Sequence, residues 1–229
     1  MTRSALLLLA DSRFPAGAHA RSGGLEAAAA AGRVHDAASL REFLLGCLHT
    51  GALTAAAFAA TACQADNVEL LAELDYEYDV RLLADAPRVA SRAHGRQLVR
   101  AAGAAWPGPR FELLAAAVPE GGPHHPIALG IACSSAALPT EDAASCVLHA
   151  ALGAPAQAAI RLLGLDPIEV AVLLAELAPA VDRVAVRALA SARMALLKGD
   201  PGALPALGAP LLELAAQDHA TREVRLFAT

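Results

Sequence analysis

Apolar residues recur along this chain three and four apart, in long runs broken by short clusters of Pro, Gly, Asp and Ser. That period puts them on one face of an α-helix. The strict alternation of a half-buried strand rarely lasts more than a few residues here. The pattern predicts helices over 4–10, 22–32, 39–64, 67–84, 86–104, 109–117, 125–136, 140–163, 167–178, 182–198 and 208–217. Ser39-Leu-Arg-Glu42 has the spacing of a capping box. Asp166-Pro-Ile-Glu169 combines an N-cap, a proline at the first helical position and an acid in the first turn. Asp182 is placed to cap the next helix, which Lys198-Gly199 would end with a cation and a C′ glycine.

The run from Phe43 to Ala65 carries no charge and is long enough to span a bilayer. It consists mostly of Ala and Thr with Gly46, His49, Gly51 and Gln64, a weak insertion signal, so a buried central helix is expected. The turns at 106–109, 119–126 and 199–202 are short enough to lie inside one bundle. No internal repeat is present. The expected fold is all-α, a compact single-domain bundle of about ten helices over 1–229. The tail from Asp218 to Thr229 is charged and then ends in Leu226-Phe227, a pattern that a partner would order.

Composition sharpens this picture. Hydrophobic residues make up 56% of the chain but aromatics only 3%, so small alanine side chains must let the helices approach closely. The net charge is −5 and no basic run occurs, which argues against nucleic acid as a partner. Lys198 is the only lysine, a bias that codon usage explains as well as any preference for arginine at interfaces. Cys47, Cys63, Cys133 and Cys146 are scattered in apolar helical contexts without a Cys-x-x-Cys pair, as expected of buried free thiols. The apolar run after Arg3 is too short for a signal peptide and closes at Asp11. A cytoplasmic protein is expected, without a membrane partner.

The most elaborate polar segment is Ala10-Asp-Ser-Arg-Phe-Pro-Ala-Gly-Ala-His-Ala-Arg-Ser-Gly-Gly-Leu-Glu26. It has no spacing typical of a nucleophile, a metal site or a phosphate loop. Ser22-Gly23-Gly24 reads as a tight helix entry, with anion binding as the alternative. Glu26 is expected to fix an arginine of the loop. His124-His125 reads as a turn pair, with a nickel contact as the alternative, because a metal needs three or four converging ligands. The other histidines stand alone. Asp75, Tyr76, Tyr78 and Asp79 form an acidic aromatic patch. Arg88, Arg92, Arg96 and Arg100 form a basic helix face, read first as solvated. No catalytic constellation emerges, and the pattern suggests a protein that works by docking onto others.

The N-terminal segment resembles the signature of the UreF family, Leu-x-x-Ala-Asp-Ser-x-x-Pro-x-Gly-x-x-x-His-Ser-x-Gly-Leu-Glu. Leu7, Ala10, Asp11, Ser12, Pro15, Gly17, Ser22, Gly24, Leu25 and Glu26 stand in its places. Ser91-Arg-Ala-His-Gly95, His125-Pro-Ile-Ala-Leu-Gly130, Ala159-Ile-Arg-Leu162 and Arg225-Leu-Phe227 resemble further family segments in the same order. Two positions depart from it: Arg21 replaces the histidine before Ser22, and Gly164-Leu-Asp166 replaces a Gly-Gln pair.

The resemblance implies an all-α homodimer without a cofactor or catalytic residue. It would join UreD (also called UreH) to the GTPase UreG for nickel insertion into apo-urease. Arg222, Arg225, Leu226 and Phe227 would then dock UreD. The 11–26 loop, with Asp11, Ser12, Pro15, Gly17, Ser22, Gly24, Leu25 and Glu26, would shape the dimer surface that receives UreG. The contrasting expectations are an arginine finger acting on UreG's GTP, Arg13 or Arg21, and a nickel carrier.

Overall fold

The computed structural model describes residues 3–16 and 21–220, the side chains of 219 and 220 excepted. Gly17, Arg222, Arg225, Leu226 and Phe227 therefore lie outside the described residues. The described chain is all-α, without a β-sheet. Its helices are α1 (Arg3–Ala10), α2 (Leu25–Ala30), α3 (Ala37–Cys47), α4 (Leu53–Gln64), α5 (Val68–Asp79), α6 (Asp85–Ala105), α7 (Pro109–Ala117), α8 (His125–Ser135), α9 (Thr140–Leu163), α10 (Pro167–Lys198) and α11 (Pro210–Ala220).

The second part of the uncharged run became the centre of the bundle, while Gly46, His49 and Gly51 in its first part are exposed. In α4 nearly every residue from Leu53 to Cys63 is buried, and the helix packs against α8, α9 and α10. A helix buried all round needs no polar face, which is why this run looked like a membrane span. By length and composition alone, 37–64 and 140–163 are both long and apolar enough to cross a bilayer. A π-helical turn, Leu48–Ala52, joins α3 to α4, with Thr50 at φ −119° and ψ −105°. Its hydroxyl donates to the Gly46 carbonyl at 2.7 Å, satisfying an oxygen that the irregular turn would strand.

The single helix expected over 39–64 is divided by this turn, the one expected over 22–32 spans only Leu25–Ala30, and three further boundaries differ from expectation. The helix at 37 is capped by Asp36, whose carboxylate accepts from the Ser39 amide while the Ser39 hydroxyl accepts from the Asp36 amide. Ser39 is thus the last residue of the box rather than its first, and Glu42 has no part in it. The helix expected over 67–84 ends at Asp79, because the chain must turn before α6. The two helices expected over 167–178 and 182–198 are one, and Asp182 caps nothing. The buried face of Val170, Leu173, Leu177, Ala180, Val184, Ala188, Ala192 and Ala195 runs through Pro179 without a break. Pro179 itself is exposed, as is Ala175, whose carbonyl loses its helical partner and can turn to water instead.

Arg81, which the sequence pattern did not single out, organises the connection after α10. Its Nε donates to the Pro205 carbonyl at 3.0 Å, and Nη2 donates to those of Gly202 and Leu204, both at 3.0 Å. The guanidinium also lies 5.0 Å from the Phe58 ring centre, a cation–π contact. Glu213 of α11 then accepts from the Leu83 and Ala84 amides, and Gln217 from Ala86, so α11 caps the start of α6.

Candidate functional site

The two halves of the motif-bearing region lock together around α6. Gly95 leaves so little room that a Cβ there would lie 2.0 Å from the Pro123 carbonyl oxygen. Four residues earlier, the Ser91 hydroxyl accepts from the His125 amide at 3.2 Å. Between them Arg92 donates to Asp75 at 2.9 Å, to Asp79 at 2.8 Å and to the Gly122 carbonyl at 2.6 Å. Arg96 donates to the Gly121 carbonyl and Arg88 to that of Leu82. The basic face is therefore largely not a solvated stripe. Three of its four arginines staple the 119–124 turn and the end of α5, although Arg96 as well as Arg100 is exposed.

The acidic aromatic patch also splits. Tyr76 is exposed, whereas Tyr78 is buried edge-on against Phe58 and burial keeps its hydroxyl protonated. Asp75 is buried and accepts from both Arg92 and the His124 amide, the latter at 2.8 Å. Burial alone would raise the Asp79 carboxyl. Hydrogen bonds from Arg92 and His124 outweigh that and hold it below the usual range.

The adjacent histidines point apart. His124 is wholly buried, its Nε2 lying 2.9 Å from Asp79 and its Nδ1 without a partner among the described residues. Burial lowers its pKa against the pull of the two aspartates, so the neutral ring donates through Nε2. His125 instead stacks on His94, ring centres 3.8 Å apart and planes 5° from parallel. Burial pushes His94 down to about 4 and His125 well below its ordinary value, with the Arg21 charge adding to both. Among the described residues no three His, Cys, Asp or Glu side chains converge as a metal site. The His94 contact was not legible, because the partners are 31 positions apart and the sequence shows no spacing that joins them.

The signature loop lies beside this stack. Asp11 is gripped by its neighbour Arg13, with Nη2 at 2.6 Å and Nε at 3.0 Å, and is held at about 2. Phe14 is buried and stacks on Trp106 at 5.9 Å, whereas Ser12 and Pro15 are exposed. Gly24 enters α2 at φ 86°, a left-handed conformation that disfavours a side chain. Ser22 is buried and its hydroxyl accepts from the Glu26 amide at 3.4 Å; Leu25 is fully buried. Gly23 faces Pro155 of α9 so closely that a Cβ would come within 3.2 Å of its ring. Arg21 turns inward and donates Nη1 to the Ala90 carbonyl at 3.0 Å. The described part of the signature thus builds a helix entry and its packing.

Two cavities flank the loop, of 380 and 610 Å³, and both are walled by Arg21, His94 and His125. Burial raises the Cys47 thiol to about 11 and also raises Cys63, while a hydrogen bond with Cys146, helped by burial, raises Cys133, so these side chains behave as small apolar groups.

The sequence profile of the UreF family matches residues 34–178. The urease accessory protein UreF of Mycobacterium sp. (strain JLS) is 40% identical over 229 residues, covering 100% of this chain and 99% of its own. The UreF of Mycolicibacterium vanbaalenii is 37% identical over 98% of this chain and 97% of its own. That of Mycobacterium tuberculosis (strain H37Ra) is 37% identical, over 99% of each. With the family profile and full-length relatives in agreement, this chain belongs to the UreF family of urease accessory proteins.

Proposed function

We propose that the protein is a cytoplasmic adaptor that joins UreD to the GTPase UreG in the assembly that inserts nickel into apo-urease. The observation that carries this reading is the end-to-end match to urease accessory proteins named UreF, at 40% identity in one case. The described signature residues support a structural rather than chemical role, since Ser22, Gly24 and Leu25 are spent on a helix entry. Arg21 is engaged with the Ala90 carbonyl, so of the two finger candidates only Arg13 presents an exposed guanidinium. Docking of UreD belongs, on this reading, to Arg222, Arg225, Leu226 and Phe227, with Phe227 as the aromatic anchor. UreG belongs to the surface around 11–26.

A homodimer is part of the proposal. The outer face of α10 exposes Ile168, Val172, Val186, Met194 and Leu197, an apolar stripe that a monomer has no reason to keep. Asp182 and Arg193 are exposed along the same helix, so two copies set antiparallel would match each charge with its opposite.

The test is capture of UreD and UreG by the full-length chain and by a chain truncated after Asp218. Loss of UreD on truncation, with helicity unchanged, supports the adaptor. Capture of neither protein by the folded full-length chain refutes it. For Arg13, substitution by alanine separates the contrasting role: a finger loses GTP turnover while the complex still forms.

A further inference from the structure

The side chains shared by the two cavities include a charge, Arg21, that no carboxylate among the described residues compensates. Arg21 donates one hydrogen bond, from Nη1 to the Ala90 carbonyl, and no carboxylate pairs with it among the described residues. Its Nε and Nη2, the side-on pair that matches the two oxygens of a planar anion, make no hydrogen bond to the described residues. Beside it the stacked rings of His94 and His125 make no ring-nitrogen hydrogen bond to the described protein. Both line the same cavities as Arg21.

The other ionisable groups around the cavities do not cancel this charge. Glu213, in the smaller cavity, is taken up by the Leu83 and Ala84 amides. Asp11, in the larger one, is taken up by Arg13. Cys146, His149 and Arg161 are the other ionisable side chains among the described residues that line the larger cavity. The remaining walls are mostly apolar, Ala150 and Ala154 being common to both cavities. A guanidinium in apolar surroundings repels a metal cation and strengthens the attraction of an anion.

We propose that Arg21, His94 and His125 form a binding site for a small planar oxyanion of the carboxylate type. The Arg21 fork takes two oxygens, and the imidazole N–H groups of His94 and His125 donate to the anion's edge. Occupancy closes the wall between the cavities and neutralises Arg21. Both imidazoles then protonate more readily, because the nearby positive charge that opposed them is cancelled.

The test is a titration of the full-length protein, labelled with ¹³C-histidine, by sodium formate at constant ionic strength set with sodium chloride. The ring signals are assigned from His94→Phe and His125→Phe variants. The expected result is a joint, saturable shift of the His94 and His125 signals, with a dissociation constant on the order of millimolar. Sodium sulfate, tetrahedral rather than planar, should bind at least about tenfold more weakly. Arg21→Gln should lose the saturable shift while keeping the circular dichroism of the parent. Should that variant unfold, the His94→Phe chain, which keeps a ring in the stack but offers no N–H, must bind formate at least about fivefold more weakly. A wild-type shift that stays linear to about 50 mM formate, or that sulfate reproduces equally, overturns the proposal. The experiment uses this chain alone, so its failure leaves the adaptor reading intact.

Discussion

The crossing of α8 over α4 makes a sharp prediction, because one glycine sets its distance. A Cβ built on Gly130 would lie 2.4 Å from the Ala59 carbonyl oxygen and 2.8 Å from both the Ala62 Cβ and the Cys63 amide nitrogen. Two of these three neighbours are backbone atoms of the central helix, which cannot rotate away as a long side chain could. Gly130→Ala must therefore push the helices apart by about 1 Å, and overpacking of this kind costs about 3 kcal/mol at the upper end of its range. Alanine's better helix propensity returns about 1 kcal/mol. The net loss of about 2 kcal/mol lowers the melting temperature by roughly 4–8 °C in a domain of this size. Gly153 supplies the control. It lies inside α9 with no atom within 4 Å of a built Cβ, so Gly153→Ala gains propensity without a clash. Its melting temperature should rise by about 2–4 °C. Thermal unfolding followed by circular dichroism reads both variants. If Gly130→Ala melts at or above the parent temperature, the close helix crossing is not what holds that glycine in place.

Other consequences follow from the charge cluster, the neutral histidines and the outer face of α10. Asp75→Asn leaves Arg92 short of a charged partner in a nearly dry site, the Asp75 side chain being only 3% exposed. A cost of about 3 kcal/mol is expected, and a urea midpoint implying less than about 1 kcal/mol would contradict the network's structural role. The pH dependence follows from folded-state histidine pKa values that lie below the unfolded one. As pH falls below about 6.5 the unfolded chain takes up protons that the folded chain refuses, so stability is lost on acidification. His94, pushed down to about 4, should cost about 2 kcal/mol between pH 7 and pH 5, and His124 and His125 shift in the same direction. Denaturant midpoints that stay level or rise over that interval would refute the neutral assignment. Val186→Asp, on the exposed α10 stripe, should convert the proposed dimer to monomer in sedimentation while leaving helicity intact. A dimer unchanged by this variant would remove α10 from the interface.

By itself the sequence determined the class of fold, most helix positions and the family. Helical periodicity is local, and α7 and α9 span the ranges, 109–117 and 140–163, that the period gives them. The buried character of 52–63 was equally legible, since an uncharged run without a polar face must be covered, whereas Gly46, His49 and Gly51 earlier in the same run are exposed. Continuity through Pro179 was not. A proline's local penalty is visible in sequence, whereas the unbroken buried face that outweighs it exists only once α10 lies on its neighbours.

The same division separates the motifs from their meaning. Ser91, Arg92, Gly95, His125 and Gly130 could be recognised in order, but their spacing says nothing of why those residue types are needed. The tertiary structure decided that the serine holds the His125 amide, the arginine ties two aspartates to a turn, and the glycines admit backbone at van der Waals distance. It also decided that Arg21 faces a stacked histidine pair. Charge and ring stacking at that site depend on contacts between residues far apart in the chain, and local pattern carries no information about which distant groups will meet.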